Sequence, residues 1–364
     1  MARRNRTSGR KLDHLKICLN REVQSRTKTT AFEDIHLVHQ ALPDTDLGSV
    51  DLSTELFGKK LSAPIVIVGM TGGTRRALKI NASLAAAAER LKLGMGVGSQ
   101  RAALENPDQA ASFTVTRDKA PTALLIANIG YAQLAKGYGV KEATRAVEMI
   151  KADILAVHLN PLHEAVQVEG DTDFRNAVKR IQEITQTLEV PVIAKETGAG
   201  ISAEAAKMLE EAGVAAIDIG GAGGTSWAAV EFYRAGRGLK KELGSTFWEW
   251  GIPTAISLVE VKKTTNLKVI ATGGIRNGEE AAKAIALGAD AVGLALPLLR
   301  PAAISSAKVE ERLKQLISEF RVAAFLTGAR NIPELKGVPA VVTGLAADWL
   351  RARGFKPEEY ALRG

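Results

Sequence analysis

KVIATGGIRNGEEAAKAIALGADAVGLAL, residues 268–296, holds a complete strand–helix–strand unit. A β-branched run, 268–273, gives way at Gly274-Ile275-Arg276-Asn277-Gly278 to an amphipathic, alanine-rich segment, 279–287, and a second apolar run follows at 290–295. Short buried strands alternating with helical periodicity predict a parallel sheet with crossover helices. The same alternation reaches back to residue 64 through apolar runs at 64–69, 94–98, 122–128, 153–159, 191–196 and 215–220. Most are apolar at successive positions, as strands covered on both faces must be. Helical patterns lie between them at 80–91, 141–150, 174–188 and 203–212, and Ser202 and Asn277 stand where N-caps belong. Eight such units with no linker predict an α/β fold, a (β/α)8 TIM barrel over 64–299. Residues 1–63 then form an N-terminal extension, and 300–364 closing C-terminal helices, of which 309–326 is the most periodic, the whole reading as a single domain.

Composition narrows the partners. The 364 residues are 46% hydrophobic and 24% charged, and no apolar stretch approaches the roughly 20 residues that span a bilayer. The first thirty residues carry Arg3, Arg4, Arg6, Arg10 and Lys11 but no apolar signal core, so a cytoplasmic protein is expected. The single cysteine, Cys18, excludes an internal disulfide and a cysteine-based metal site. A net charge of +8 suits an anionic ligand, but basic residues are not interleaved with aromatics, so no nucleic-acid platform is expected.

Barrel active sites occupy the carboxyl ends of the strands. Nearly every run ends there in polar residues or glycine: Gly69-Met70-Thr71-Gly72-Gly73, Ser99-Gln100-Arg101, Asn128, His158 with Asn160, Lys195-Glu196, Gly220 to Thr225, and Gly273-Gly274-Ile275-Arg276. The loop after strand seven opens a helix, so its glycines admit a phosphate to backbone N–H groups at a positive helix end. The second glycine-rich loop, 220–225, offers another wall of the same pocket. Lys195 places a cation in the barrel mouth, suited to a developing anion on a reduced flavin. After strand four come His158, Asn160, His163 and Glu164; Glu164 suits Mg2+ held jointly with substrate phosphate oxygens.

These strings, with Arg10-Lys11-Leu12-Asp13-His14 near the amino terminus and Gly96-Val97-Gly98-Ser99-Gln100-Arg101, resemble the type 2 isopentenyl-diphosphate Δ-isomerases, the FMN-dependent family of isoprenoid synthesis, above all its archaeal members, almost end to end. The resemblance implies FMN contacts at Val68, Gly69, Met70, Thr71, Ser99, Asn128, Lys195, Thr225, Gly274, Ile275, Arg276, Ala295 and Leu296. It implies substrate diphosphate contacts at Arg10, Lys11, Ser99, Gln100, Arg101, His158, Asn160 and His163, and Mg2+ at Glu164. Thr71, His163, Lys195 and Glu231 are implied for the chemistry, a proton added at one end of the allyl unit and removed at the other over reduced FMN. NADPH or another reductant activates the flavin, and a homotetramer or octamer is implied. His163 departs from the family pattern, which has Gln in that place, and Val168 stands where Pro is usual before Glu169. Histidine donates, accepts and changes charge near neutral pH, so it suits the same role with an altered pH response.

Three alternatives share the barrel. An FMN-dependent 2-hydroxy-acid oxidase or dehydrogenase needs a histidine base after strand seven, and no histidine follows residue 163. Inosine monophosphate dehydrogenase needs a cysteine nucleophile in the loop after strand six, where there is none. An inactive FMN-binding barrel would have no use for Arg10, Lys11, Gln100, Arg101, Asn160 and Glu164.

Overall fold

The computed structural model describes residues 2–363, with side chains from residue 9 onward; Met1 and Gly364, the outermost residues of the expected extension and closing segment, lie outside the described residues. Eight parallel strands close into a barrel in chain order: β1 (Ile65–Ile67), β2 (Gly94–Gly96), β3 (Leu125–Gly130), β4 (Ile154–Leu159), β5 (Val192–Glu196), β6 (Ala216–Asp218), β7 (Lys268–Ala271) and β8 (Ala291–Leu294). β8 returns to β1 with Val292 opposite Ile65. Side chains alternate across a strand, and this divides each apolar run between two cores. Val66, Leu124, Ile126, Ile154, Ala156, Ile193, Ala216, Ile270 and Ala291 fill the barrel interior. Their neighbours Ile67, Leu125, Leu155, Val192, Ile217, Val269 and Val292 pack outward in the larger core formed with the helices.

The helices begin where the chain caps them. Ser202 accepts from Ala205 N at 3.2 Å and Asn277 from Glu280 N at 2.8 Å. The first crossover helix, Arg75–Leu91, starts five residues before its apolar pattern because Thr74 accepts from Ala77 N. After β4 a short helix, Pro161–Val166, comes first, and the helix expected over 174–188 starts later than its pattern, at Ala177, because Asn176 takes a left-handed conformation with φ 61°.

The extension closes both ends of the barrel. Thr54–Leu56 and Lys59–Leu61 form a hairpin whose turn residues Phe57 and Gly58 both have positive φ, as two-residue turns matching strand twist require. Leu56, Phe57 and Leu61 pack on the interior core and stopper its amino-terminal end. Leu56→Ala should therefore destabilise by about 2–5 kcal/mol, read as a lower urea midpoint at unchanged m. A loss under about 1 kcal/mol would mean the hairpin does not share the barrel core. At the opposite end, the amino-terminal helix Ala2–Asn20 turns Arg10, Lys11, His14, Leu15 and Cys18 toward the mouth. Ile35–Leu37 pairs antiparallel with Ala340–Val342, tying the extension to the closing helices. No helix among the described residues is long and apolar enough to cross a membrane.

Candidate active site

The barrel interior changes character along its axis. Two residues beyond the last inward apolar side chain on β3, β4, β5, β6 and β7 stand Asn128, His158, Lys195, Asp218 and Thr272, still pointing inward by the period of two. Register sets them side by side: Lys195 lies opposite both His158 and Asp218. On β1, β2 and β8 the same level is held by Val68, glycine and Ala295, leaving room. The result is a cavity of about 250 Å³ between the strand ends and the amino-terminal helix.

Hydrogen bonds hold this layer. Asn128 donates to Val97 O at 3.1 Å, so its Oδ1 faces His158 and accepts from Nδ1 at 2.8 Å. Burial above all, with the Lys195 charge nearby, pulls His158 down to about 3, so the ring is neutral with its proton on Nδ1. Lys195 Nζ donates to Asp218 Oδ2 at 2.7 Å, and Thr272 donates to the other Asp218 oxygen. Asp218 thus fixes where the ammonium stands. It falls inside a run that reads as apolar, and only its place in the inward alternation marks it. Asp218→Asn keeps the shape and removes the charge that pins Lys195; FMN should then bind several-fold more weakly with unchanged fold, and unaltered affinity would show that Lys195 is positioned without it.

The walls are glycine where two loops meet. A Cβ on Gly273, at φ 103°, would lie 2.1 Å from Gly221 O, and one on Gly224 would lie 2.3 Å from Gly274 N. The loops after β6 and β7 therefore touch backbone to backbone. Arg276 donates to Gln24 Oε1 at 2.7 and 3.1 Å, which anchors the β7 loop to the extension.

At the other side three cations gather. Arg10, Lys11 and Arg101 line the mouth, with Lys11 Nζ donating to Ser99 O at 2.5 Å and Arg101 to Glu105 at 2.7 Å. Burial, together with the Arg10 and Arg101 charges, brings Lys11 down to about 7. Facing them is Glu164, buried, which accepts from Asn160 Nδ2 at 3.0 Å, Gln167 Nε2 at 3.3 Å and Asp171 N at 2.7 Å. Asn160 Oδ1 is buried with no hydrogen-bond partner. An orphaned carbonyl oxygen beside a carboxylate is a donor set that fits a hard cation.

Beside this lies a compact cluster. Glu231 Oε1 accepts from His14 Nε2 at 2.7 Å and from His163 Nε2 at 3.0 Å. Its Oε2 accepts from Arg234 at 2.7 Å, and Arg234 also binds Glu169 at 2.5 Å. Trp227 stacks on His163 with centroids 4.5 Å apart. Burial pushes the Glu231 carboxyl up, but the two imidazole hydrogen bonds prevail and hold it well below the usual carboxylate range. Burial takes His14 down to about 4 against the pull of Glu231.

All but three of the expected site residues line the cavity. Gln100 faces away: its Oε1 accepts from Asn128 N at 2.9 Å and its Nε2 donates to Ala146 O at 2.8 Å, so it braces the β3 end. Ile275 is 1% exposed and packs in the outer core. Glu231 is fully buried behind His14 and His163 and reaches the cavity only through them. Asp218, Thr272, His14 and Trp227 belong to the site or its support without having been singled out for it by sequence.

The model of the FMN-dependent dehydrogenase family matches residues 3–136 and 142–340. The chain is 50% identical to the isopentenyl-diphosphate delta-isomerase of Methanosarcina barkeri over 361 residues, 98% of each chain. It is 51% identical to the enzyme of the same name from Pyrococcus furiosus, covering 96% of this chain and 90% of that one. Among solved structures, a mandelate oxidase bearing an FMN adduct superposes with TM-score 0.63 at 17% identity over 93% of this chain and 96% of its own. A lactate oxidase of Pediococcus acidilactici also superposes with TM-score 0.63, at 18% identity over 88% of each chain. Identities this low speak for the barrel fold alone.

Proposed function

Since the chain belongs to the FMN-dependent dehydrogenase family and to the isopentenyl-diphosphate delta-isomerases, we propose that it interconverts isopentenyl and dimethylallyl diphosphate over reduced FMN, with Mg2+ and with NADPH or another reductant to activate the flavin. The observation that carries this reading is the convergence of Arg10, Lys11 and Arg101 with the Asn160–Glu164 pair on one side of a cavity whose other wall is two glycine loops. One side suits a diphosphate with a hard cation; the other suits a phosphorylated flavin. A 2-hydroxy-acid oxidase would need only the second.

The donor set fits FMN: glycine walls that a Cβ would fill, a fixed ammonium at Lys195, and amide groups at Asn128. Val68, Gly69, Met70, Thr71, Ser99, Asn128, Lys195, Thr225, Gly274, Arg276, Ala295 and Leu296 would hold it. When bound and reduced, the flavin supplies an electron-rich ring that stabilises cationic character and exchanges a proton with the allylic unit. Arg10, Lys11 and Arg101 would bind the diphosphate by charge-assisted hydrogen bonds, and Mg2+ on Glu164 and Asn160 Oδ1 would neutralise what they leave. These contacts place the hydrocarbon tail toward Thr71, His163 and Lys195 and supply the positioning energy. With both Nε2–H groups given to Glu231, His14 and His163 each keep Nδ1 as a proton acceptor, so Glu231 sets their tautomers.

The test is an anaerobic assay with FMN, a reductant, Mg2+ and isopentenyl diphosphate, with oxidised flavin as control. Dimethylallyl diphosphate formed only with reduced flavin supports the isomerase. Tight FMN binding without product in either state overturns it.

A further inference from the structure

His14, His163 and Glu231 each offer one ligand atom, and these three atoms all lie within 4.8 Å of one another, the two Nε2 atoms standing 2.7 and 3.0 Å from Glu231 Oε1. Two imidazole nitrogens and a carboxylate oxygen are a set that borderline divalent ions prefer and Mg2+ does not. The geometry is close to that of ligation. With metal–nitrogen bonds of about 2.0–2.1 Å, two imidazoles on a tetrahedral ion have ring centroids about 5 Å apart; here they are 5.5 Å apart and tilted by 55°. The imidazole–carboxylate separations of 2.7 and 3.0 Å must open by a few tenths of an ångström.

The support is also in place. Arg234 pins Glu231 Oε2, which aims Oε1 at the two rings, and Trp227 holds His163 by stacking. Arg234 shares its charge with Glu169 as well, so the row Glu231–Arg234–Glu169 retains one net negative charge. Both imidazoles line the cavity, so the remaining coordination positions face water or a ligand. His163 completes the set, standing where the resembled family has Gln, whose amide offers no comparable nitrogen ligand.

We propose that His14, His163 and Glu231 bind one borderline divalent cation of the Zn2+ or Co2+ class, at a site distinct from the hard-cation site at Glu164. Each neutral imidazole shifts its one ring proton from Nε2 to Nδ1, by way of solvent, as the metal takes its place on Nε2. An ion there occupies the carboxylate that orients both rings, so it would inhibit the chemistry of this cavity rather than serve it.

The test is titration of the purified, FMN-loaded protein with Co2+, read by the visible bands of four- or five-coordinate cobalt and by metal content after gel filtration. One Co2+ per chain is expected, retained in Glu164→Gln. In His163→Gln, a residue the resembled family carries there, and in His14→Asn, affinity should fall by more than the about 10–100-fold that loss of an outer-shell partner costs. Binding that survives His163→Gln, that disappears in Glu164→Gln, or that shows only six-coordinate oxygen-type spectra would overturn the proposal, as would no binding at all. The readout is independent of isomerase activity, so failure of the one reading does not decide the other.

Discussion

Glu231→Gln is expected to lower turnover by about 10²–10⁴-fold while leaving KM for the diphosphate substrate little changed. The carboxylate does not reach the cavity, so it makes no binding contact to lose. What it supplies is orientation and charge: Oε1 receives both Nε2–H groups, and its negative charge stabilises either ring when that ring takes up a proton. A carboxamide of the same shape still accepts at its oxygen but offers no countercharge, so the His14 ring becomes harder to protonate. The sign follows for pH: Glu231 holds His14 up against burial, so His14 drops below its value of about 4 in the variant, and an acid limb set by this cluster moves to lower pH. Glu231→Asp, which keeps the charge but shortens the reach, should recover part of the turnover. A merely structural role would give a lower melting temperature, a KM that rises along with any loss of kcat, no recovery in Glu231→Asp and no movement of the limb. Unchanged kcat in a folded Glu231→Gln protein would remove the cluster from the mechanism.

The barrel was legible because a strand buried on both faces has no polar position to disguise it. Every one of the eight expected runs overlaps a barrel strand, and the displaced edges, such as the 122–128 run that became Leu125–Gly130, reflect where ladder hydrogen bonds start rather than where apolarity does. The rim was legible because barrel chemistry collects at strand ends. Side-chain direction there was harder to read. Gln100 sits between two cavity residues in sequence, yet it occupies the N-cap position of the short helix Arg101–Glu105, where the backbone has already turned and sends the side chain under β3. Asp218 was hidden for the converse reason: one charge within Ala-Ile-Asp-Ile reads as an interrupted strand until the inward parity is followed from β5. The role of the amino-terminal helix has no signature in its own pattern. Leu15 and Leu19 bury only because a barrel mouth lies beneath them, and that mouth is assembled from residues as far along the chain as Leu299.

Lys11→Met should weaken binding of a diphosphate by about 10–150-fold at pH 6, the worth of one charge-assisted hydrogen bond of about 1.5–3 kcal/mol. Above pH 7 this difference should shrink. Burial and the neighbouring arginine charges leave the free lysine half-protonated at about pH 7, whereas a bound diphosphate holds it charged. Below that pH the free site is already cationic and the lysine's contribution is constant. Above it, binding must first load a proton, so the advantage of the native protein over Lys11→Met falls by up to tenfold per pH unit. The ligand titrates in the same range, but it does so equally for both proteins, and their ratio isolates the lysine. Calorimetric titration with inorganic diphosphate and Mg2+ at pH 6, 7.5 and 9 measures it. A ratio constant across this range would mean that Lys11 stays charged in the free protein and that water enters the site more freely than its burial among Ser99, Arg10 and Phe113 implies. A ratio near one at every pH would place the diphosphate elsewhere, and with it the proposed substrate.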